Sequence, residues 1–454
     1  MSVLLSPYVK RNLSLAWPLA FNALLMQSAL MIDTYLVTPH GEISLAALGI
    51  ATTIISFILG IQMALANGSQ LVLSRSVGAG TKGVIDKGFW AALLINMSIS
   101  GMFYLVLMQY SDVLIRTLTS ESDILSETRS YLSVAKYIVV INAATQVMIA
   151  LFNALGRTKV PFKGYLFELP INVITSYVLI NGIGSFGGIG VTGAAVGSLI
   201  AIVIRLLFLT TCIYFESALT LRFTLIKSVI GSNVVSHFKE IFPVAANVTM
   251  LQIGATVYML LYSQLAITSY IAMTIVMPWI KVGTQFITAW ALTSAINISQ
   301  AIGSRDISDL NKNVNVSIRM AVLISCFSAL FFLLLSISLP SIYPDLDTSI
   351  YDSLSIIAPL YIVLPIVRGY NTVHGHVLRA LGKTTEVFKV NFTGQWVISI
   401  PLCALVILYF ELSIFWAFAV MPLEEIVKVY PFRYLARKTL NGFTLEQVDN
   451  LMYD

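Results

Sequence analysis

Apolar stretches of about twenty residues, repeated from one end to the other, leave this chain few ways to fold. A helix that crosses lipid needs about 20 mainly apolar residues. Such runs fall at roughly 13–37, 46–72, 88–108, 131–154, 165–181, 190–214, 241–266, 270–297, 314–339, 354–378, 391–410 and 412–430. Hydrocarbon offers no hydrogen bonds, so a spanning segment must satisfy its own backbone, and runs this long do so as helices. Only 11% of the residues are charged, against about 25% in a soluble domain. The expected fold is an all-α polytopic membrane protein with twelve transmembrane helices. The longest connections, 109–130, 215–240 and 340–353, leave no soluble domain. The opening MSVLLSPYVKRNLSLAW lacks a short apolar core ending in a small-residue cleavage site, so the first helix reads as an uncleaved anchor.

Orientation follows from the basic residues. With the N-terminus inside, the inner segments hold 21 Lys and Arg, from Lys10 and Arg11 through Arg75, Arg157, Arg222, Lys227, Arg305 and Arg379 to Lys428, Arg433, Arg437 and Lys438. The outer segments hold two, Arg116 and Arg129, and the acids Asp112, Glu121, Asp123, Glu127, Asp345, Asp347 and Asp352. Both termini are expected in the cytoplasm of a bacterial cell, with the chain in the inner membrane. The net charge of +5 is dispersed among loops and is no nucleic-acid signal. Cys212, Cys326 and Cys403 lie in or beside spans and suggest neither a disulfide framework nor a metal site.

The chain repeats itself. Pro18-Leu19-Ala20-Phe21-Asn22 matches Pro243-Val244-Ala245-Ala246-Asn247, and Gln27 matches Gln252, at an offset of 225. Leu73 to Gly78 matches Ile298 to Gly303 at the same offset, and Ala154-Leu155-Gly156-Arg157-Thr158 matches Ala380-Leu381-Gly382-Lys383-Thr384 at 226. Each half holds six spans, so both enter the membrane with one orientation, as parallel repeats do. The expected organisation is two pseudo-symmetric six-helix lobes, 1–214 and 241–454, joined by a cytoplasmic linker at 215–240.

One acid stands out. Ala16 to Val37 is a spanning run that carries Asp33, and a carboxylate at membrane depth costs about 2.5–3.5 kcal/mol on insertion scales. Pro18 precedes it in the same helix and frees the carbonyl of Ser14, which marks a bend. Asn22, Met26, Ala29 and Asp33 share one helical face. Span five sets Glu168, Asn172 and Ser176 four apart, and span six opens with the Gly-rich GSFGGIGVTGAAVGS, which adds Thr192 and Ser198. Asp33, Asn172, Ser176 and a hydroxyl from Thr192 or Ser198 are expected to form an oxygen-rich proton or cation site. The bland reading is polar helix packing. Pro18, Asn22, Met26, Gln27, Tyr35 and Tyr137 are the expected hinge and cavity residues around it.

The second half is charged differently. Lys281, Arg368 and the pair Glu424–Glu425 are expected to pair across helices, as structural bridges or as a gate. Arg205 and Lys136 are expected to snorkel. His374 and His376 point about 160° apart on a helix, which disfavours a metal site. Gly382-Lys383-Thr384 has Val377 where a phosphate loop needs glycine, so it reads as a helix end. No catalytic constellation is present in the motifs, and no enzyme is expected.

Pro18 with Asp33, the repeated ALGRTK and ALGKTT helix ends, Asn172 and GVTGAAVGS together resemble the multidrug and toxic compound extrusion (MATE) family, of the MOP superfamily, over nearly the whole chain. The placement of the acid in helix one is similar to the DinF-like branch. The resemblance implies a secondary antiporter that is monomeric and needs no cofactor beyond an ion gradient. It would export amphipathic, often cationic, drugs. Ser176 stands where family members often carry an aspartate, which points to protons rather than sodium, with Asp33 as coupling acid and α-helix one bending at Pro18. A sodium-coupled antiporter and a lipid-linked glycan flippase of the same superfamily are the alternatives.

Overall fold

The computed structural model describes residues 6–183, 186–216, 232–344 and 346–453. Most of the expected linker, with Arg222 and Lys227, lies outside the described residues, as does Asp345. Twelve long helices run in order. They are α1 (Pro7–Val37), α2 (Glu42–Gly78), α3 (Lys82–Arg116), α4 (Ser122–Ala154), α5 (Lys159–Asn181), α6 (Val191–Tyr214), α7 (Ser232–Tyr262), α8 (Ile267–Gly303), α9 (Leu310–Ile342), α10 (Thr348–Ala380), α11 (Thr384–Tyr409) and α12 (Ile414–Asn441). A two-stranded hairpin, β1 (Gly182–Ile183) and β2 (Phe186–Gly187), caps the α5–α6 turn, and a short α13 (Leu445–Tyr453) ends the chain.

Ten of these helices are long and apolar enough to cross a membrane. The other two are α5 and α12, whose polar content has a local cause: Glu168, Asn172 and Ser176 in one, Glu424, Glu425 and Lys428 in the other. α8 is broken at Thr284, whose hydroxyl donates to Ile280 O at 2.8 Å, a backbone competition that bends helices. α11 carries π-helical turns at Thr393–Ser399 and Leu405–Tyr409. The first lies just before Pro401, which cannot donate to the carbonyl four residues back, and the wider turn absorbs that misfit.

Two compact units divide the chain within helices. One holds Phe21–Phe242; the other holds the residues up to Ala20 and Pro243–Tyr453. The start of α1 therefore belongs with the second repeat and the start of α7 with the first. Equivalent bonds hold both. In one unit Asn12 Nδ2 donates to Ser294 Oγ at 3.2 Å; in the other His237 Nε2 meets Ser69 Oγ at 3.1 Å. Both partners shift by the repeat offset.

The core of the first-repeat unit is aliphatic, built from α2, α4 and α6 around Leu48, Ile55, Leu132 and Val139. A buried polar cluster links its helices: Gln62 Nε2 donates to Ser100 Oγ and Val139 O, both at 2.7 Å, and Gln62 Oε1 accepts from Asn142 Nδ2 at 2.7 Å. Interhelical polar bonds of this kind hold helices together where lipid gives no hydrophobic drive. The second-repeat core is aromatic, with Tyr258, Tyr262, Phe332, Tyr361 and Phe418.

Candidate functional site

α5 and α6 meet closely because α6 presents glycine where α5 approaches. A Cβ at Gly193 would stand 2.6 Å from Ile180 N, and one at Gly197 would stand 2.4 Å from Ser176 Oγ. That approach brings Ser198 to Asn172, whose Nδ2 donates to Ser198 Oγ at 2.8 Å. Ser198 Oγ in turn donates to Asp33 Oδ2 at 3.3 Å. Asp33, Asn172 and Ser176 are all buried. Asp33 Oδ1, Asn172 Oδ1 and Ser176 Oγ are buried without a hydrogen-bond partner. Among the described residues no lysine or arginine pairs with Asp33. The structure thus joins Asp33, Asn172 and Ser198 in one chain of bonds beside Ser176. Of the two candidate hydroxyls Ser198 is the one bonded to Asp33; Thr192 lies nearly two turns earlier on α6.

The other residues of α1 spread over several surroundings. Pro18 is buried two residues before the chain changes unit, and α1 continues as helix through it. Asn22 is buried with its Oδ1 unpartnered. Met26 Sδ accepts from Tyr165 Oη at 3.6 Å, whereas Gln27 and Tyr35 are exposed, Tyr35 at 78%. Tyr137 packs against Tyr104 with ring centroids 5.8 Å apart, and the Lys136 ammonium lies 5.4 Å from its ring.

Arg205 does not snorkel. Its side chain is 3% exposed, 2.6 Å from Glu168 Oε2 and over the Tyr165 ring at 4.1 Å. Glu168 is thereby committed to a base one turn from Asn172, and Asp33 is left without one. Helical spacing shows the stripe of Glu168, Asn172 and Ser176 but cannot show that residue 205 faces its first member.

The second-repeat unit holds a four-charge network. Arg368 Nε donates to Glu425 Oε1 at 3.2 Å, and Asn371 Nδ2 donates to Glu425 Oε2 at 2.9 Å. Lys428 Nζ donates to Glu424 Oε1, and Tyr258 Oη donates to Glu424 Oε2 at 2.7 Å. Lys281, expected here, is exposed on α8, and the base is Lys428, one helical turn from Glu424. In the sequence Lys428 is counted with the inner cations because it lies at the end of the 412–430 run; in the structure α12 continues to Asn441 and buries it. His374 and His376 each bond through Nδ1 to a carbonyl of their own helix at 2.8 Å.

Residues 18–178 and 243–405 each match the MatE family. The chain belongs to the MatE family. The two matches start at Pro18 and Pro243, 225 residues apart like the internal repeat. It is 22% identical over 401 residues to the uncharacterized transporter YisQ of Bacillus subtilis, covering 86% of each chain. It is 23% identical over 390 residues to the multidrug resistance protein MdtK of Photorhabdus laumondii, covering 82% of this chain and 81% of that one. In fold it resembles a mutant of the Vibrio cholerae MATE transporter VcmN, with a TM-score of 0.87 over 100% of both chains at 16% identity. A MatE protein is a transporter and not an enzyme. In this MatE chain the twelve helices form two pseudo-symmetric six-helix lobes.

Proposed function

We propose that this transporter is a multidrug antiporter of the bacterial plasma membrane, exporting amphipathic cations in exchange for protons carried by Asp33. The observation that supports this reading is a buried carboxylate with no cationic partner, held by one hydroxyl. Two other acids enclosed by first-repeat helices are bonded or paired: Glu168 takes Arg205, and Asp86 has a partner. An ionised Asp33 attracts a cationic solute strongly in a low-dielectric cavity; a protonated one does not. Protonation removes the charge that strengthens the bond from Ser198. The link from α6 to Asp33 is thereby loosened, which frees the second half of α1 to bend at Pro18. Drug export comes from the relatives named as multidrug resistance proteins, and the inward termini from the bias of basic residues.

The reading is tested in proteoliposomes that hold a pH gradient. Ethidium addition should release protons through wild type and fail to do so through Asp33→Asn, with Pro18→Ala slowed. Sodium-driven ethidium transport in the absence of a pH gradient would replace the proton with sodium. The unpartnered oxygens of Asn172 and Ser176 are what such an ion would use. Flux that depends on neither ion would favour a lipid-linked glycan flippase. Of the basic residues that activity would use, Arg205 and Arg368 are held by Glu168 and Glu425, and Lys281 is exposed on α8.

A further inference from the structure

The two repeats bridge their first and sixth helices in the same way, with roles exchanged. In the first, the carboxylate is on the first helix (Asp33) and the hydroxyl on the sixth (Ser198). In the second, the residue 225 after Asp33 is Tyr258, and its hydroxyl donates to Glu424 on the sixth helix at 2.7 Å. Both carboxylates are buried. They differ in what balances them.

The difference has a sequence cause. Each sixth helix carries a buried base, Arg205 on α6 and Lys428 on α12, at 3% and 4%, 223 positions apart and so two to three residues out of the repeat register. In the first repeat the base turns to Glu168 on α5. The residue at that place on α11, twelve after the helix-end glycine in both repeats, is Gly394. With no acid there, the lysine stem lies on the glycine: a Cβ at Gly394 would stand 2.5 Å from Lys428 Cε. The ammonium is delivered to Glu424 instead. The π-helical turn at Thr393–Ser399 carries Gly394, and π-turns mark functional sites in helices. Tyr262 on α7, stacked on Tyr258 with ring centroids 6.1 Å apart, carries a buried Oη without a hydrogen-bond partner, an oxygen beyond those the ammonium now uses.

We propose that the Glu424 site is a monovalent-cation site filled by the chain's own cation, the Lys428 ammonium. Tyr258 and Glu424 supply oxygens, and Gly394 supplies the channel for the stem. The second lobe is then permanently loaded, and no exchangeable ion enters it. Resting on the proton-antiport reading, this confines ion coupling to Asp33 in the first lobe. Arg368 and Glu425 form the neighbouring closed pair and add no net charge.

The test uses the full-length protein in nanodiscs and reads thermal stability, so it does not depend on transport. Wild type, Lys428→Ala and Lys428→Ala/Glu424→Gln are melted in sodium chloride, methylammonium chloride or choline chloride at equal ionic strength. Lys428→Ala should melt about 3 °C or more higher in sodium or methylammonium than in choline, as ligand linkage requires. Wild type and the double variant should show no such difference. Lys428→Met, which keeps the stem on Gly394 without its charge, serves if the alanine variant cannot be purified, with the same expectation for sodium. Equal melting of the single variants in all salts overturns the proposal, as does a sodium-specific shift in wild type that Asp33→Asn leaves in place and Glu424→Gln removes. A failure here with Asp33-dependent proton release intact removes the tethered cation alone.

Discussion

Glu168 and Arg205 carry opposite charges in the middle of a lipid-crossing bundle, and among the described residues neither has another ionic partner. Breaking such a pair costs more than the pair is worth, about 3–5 kcal/mol, because the remaining charge is stranded. Glu168→Gln should therefore lower the melting temperature sharply, and Glu168→Gln/Arg205→Met should recover most of the loss. Recovery in the double variant, measured in the same detergent, is the outcome that separates a stranded charge from lost packing. At this scale the sequence is informative about residue type and poor about partners. Asp33 is legible because one acid in an apolar run is expensive wherever it sits, and the α5 stripe is legible from its spacing of four. Pairing is not, since Arg205 is 37 positions from Glu168 and Lys428, at the end of the 412–430 run, groups with the basic residues that follow it. Lys281, equally apolar in its surroundings, ends exposed.

Helix ends are where element and sequence agree best. The repeated ALGR and ALGK stretches put glycine just after the last helical turn, at φ 72° for Gly156 and 78° for Gly382. In both, the next amide closes a bond five residues back: Arg157 N to Phe152 O and Lys383 N to Leu378 O, each at 2.8 Å. This is the left-handed cap that favours glycine. Alanine at Gly156 should cost about 1–2 kcal/mol through backbone strain alone. Alanine at Gly382 should cost more, because its Cβ would also stand 2.4 Å from Leu451 Cδ2 of α13. Adding Leu451→Ala to Gly382→Ala should bring its cost down to that of Gly156→Ala, a comparison that thermal unfolding of these three variants and wild type makes directly. Interruptions inside helices are harder to read. Pro401 announces a disturbance in α11, but not that it is taken up upstream, in a π-turn whose Gly394 lies against Lys428. The break at Thr284 has no proline or glycine at the site itself, although Gly283 precedes it.

The twofold repeat of the whole molecule is visible in the sequence from Pro18 and Pro243 onward, and the exchanged segments that complete it are not. Asn12 and His237 are 225 apart but differ in type, so no identity flags them. Both family matches begin only after them. The structure shows why the difference is tolerated: each needs only to reach a buried serine hydroxyl, Ser294 or Ser69, on the helix beside it. Asparagine offers an amide donor and acceptor where imidazole offers one ring nitrogen of either kind. His237→Asn should then fold with a stability close to wild type, because it copies a bond the other repeat already makes. His237→Leu keeps the bulk and removes the partner of Ser69, and a buried hydroxyl left unpaired costs about 1–3 kcal/mol. Equal destabilisation by Asn and Leu, measured as melting temperature in nanodiscs, would mean that the imidazole has a task at the start of α7 that its symmetry mate at the start of α1 does not share. A stable asparagine variant places the requirement in the hydrogen bond itself, and the twofold repeat then extends through the exchanged segments, beyond the stretch where the sequence records it.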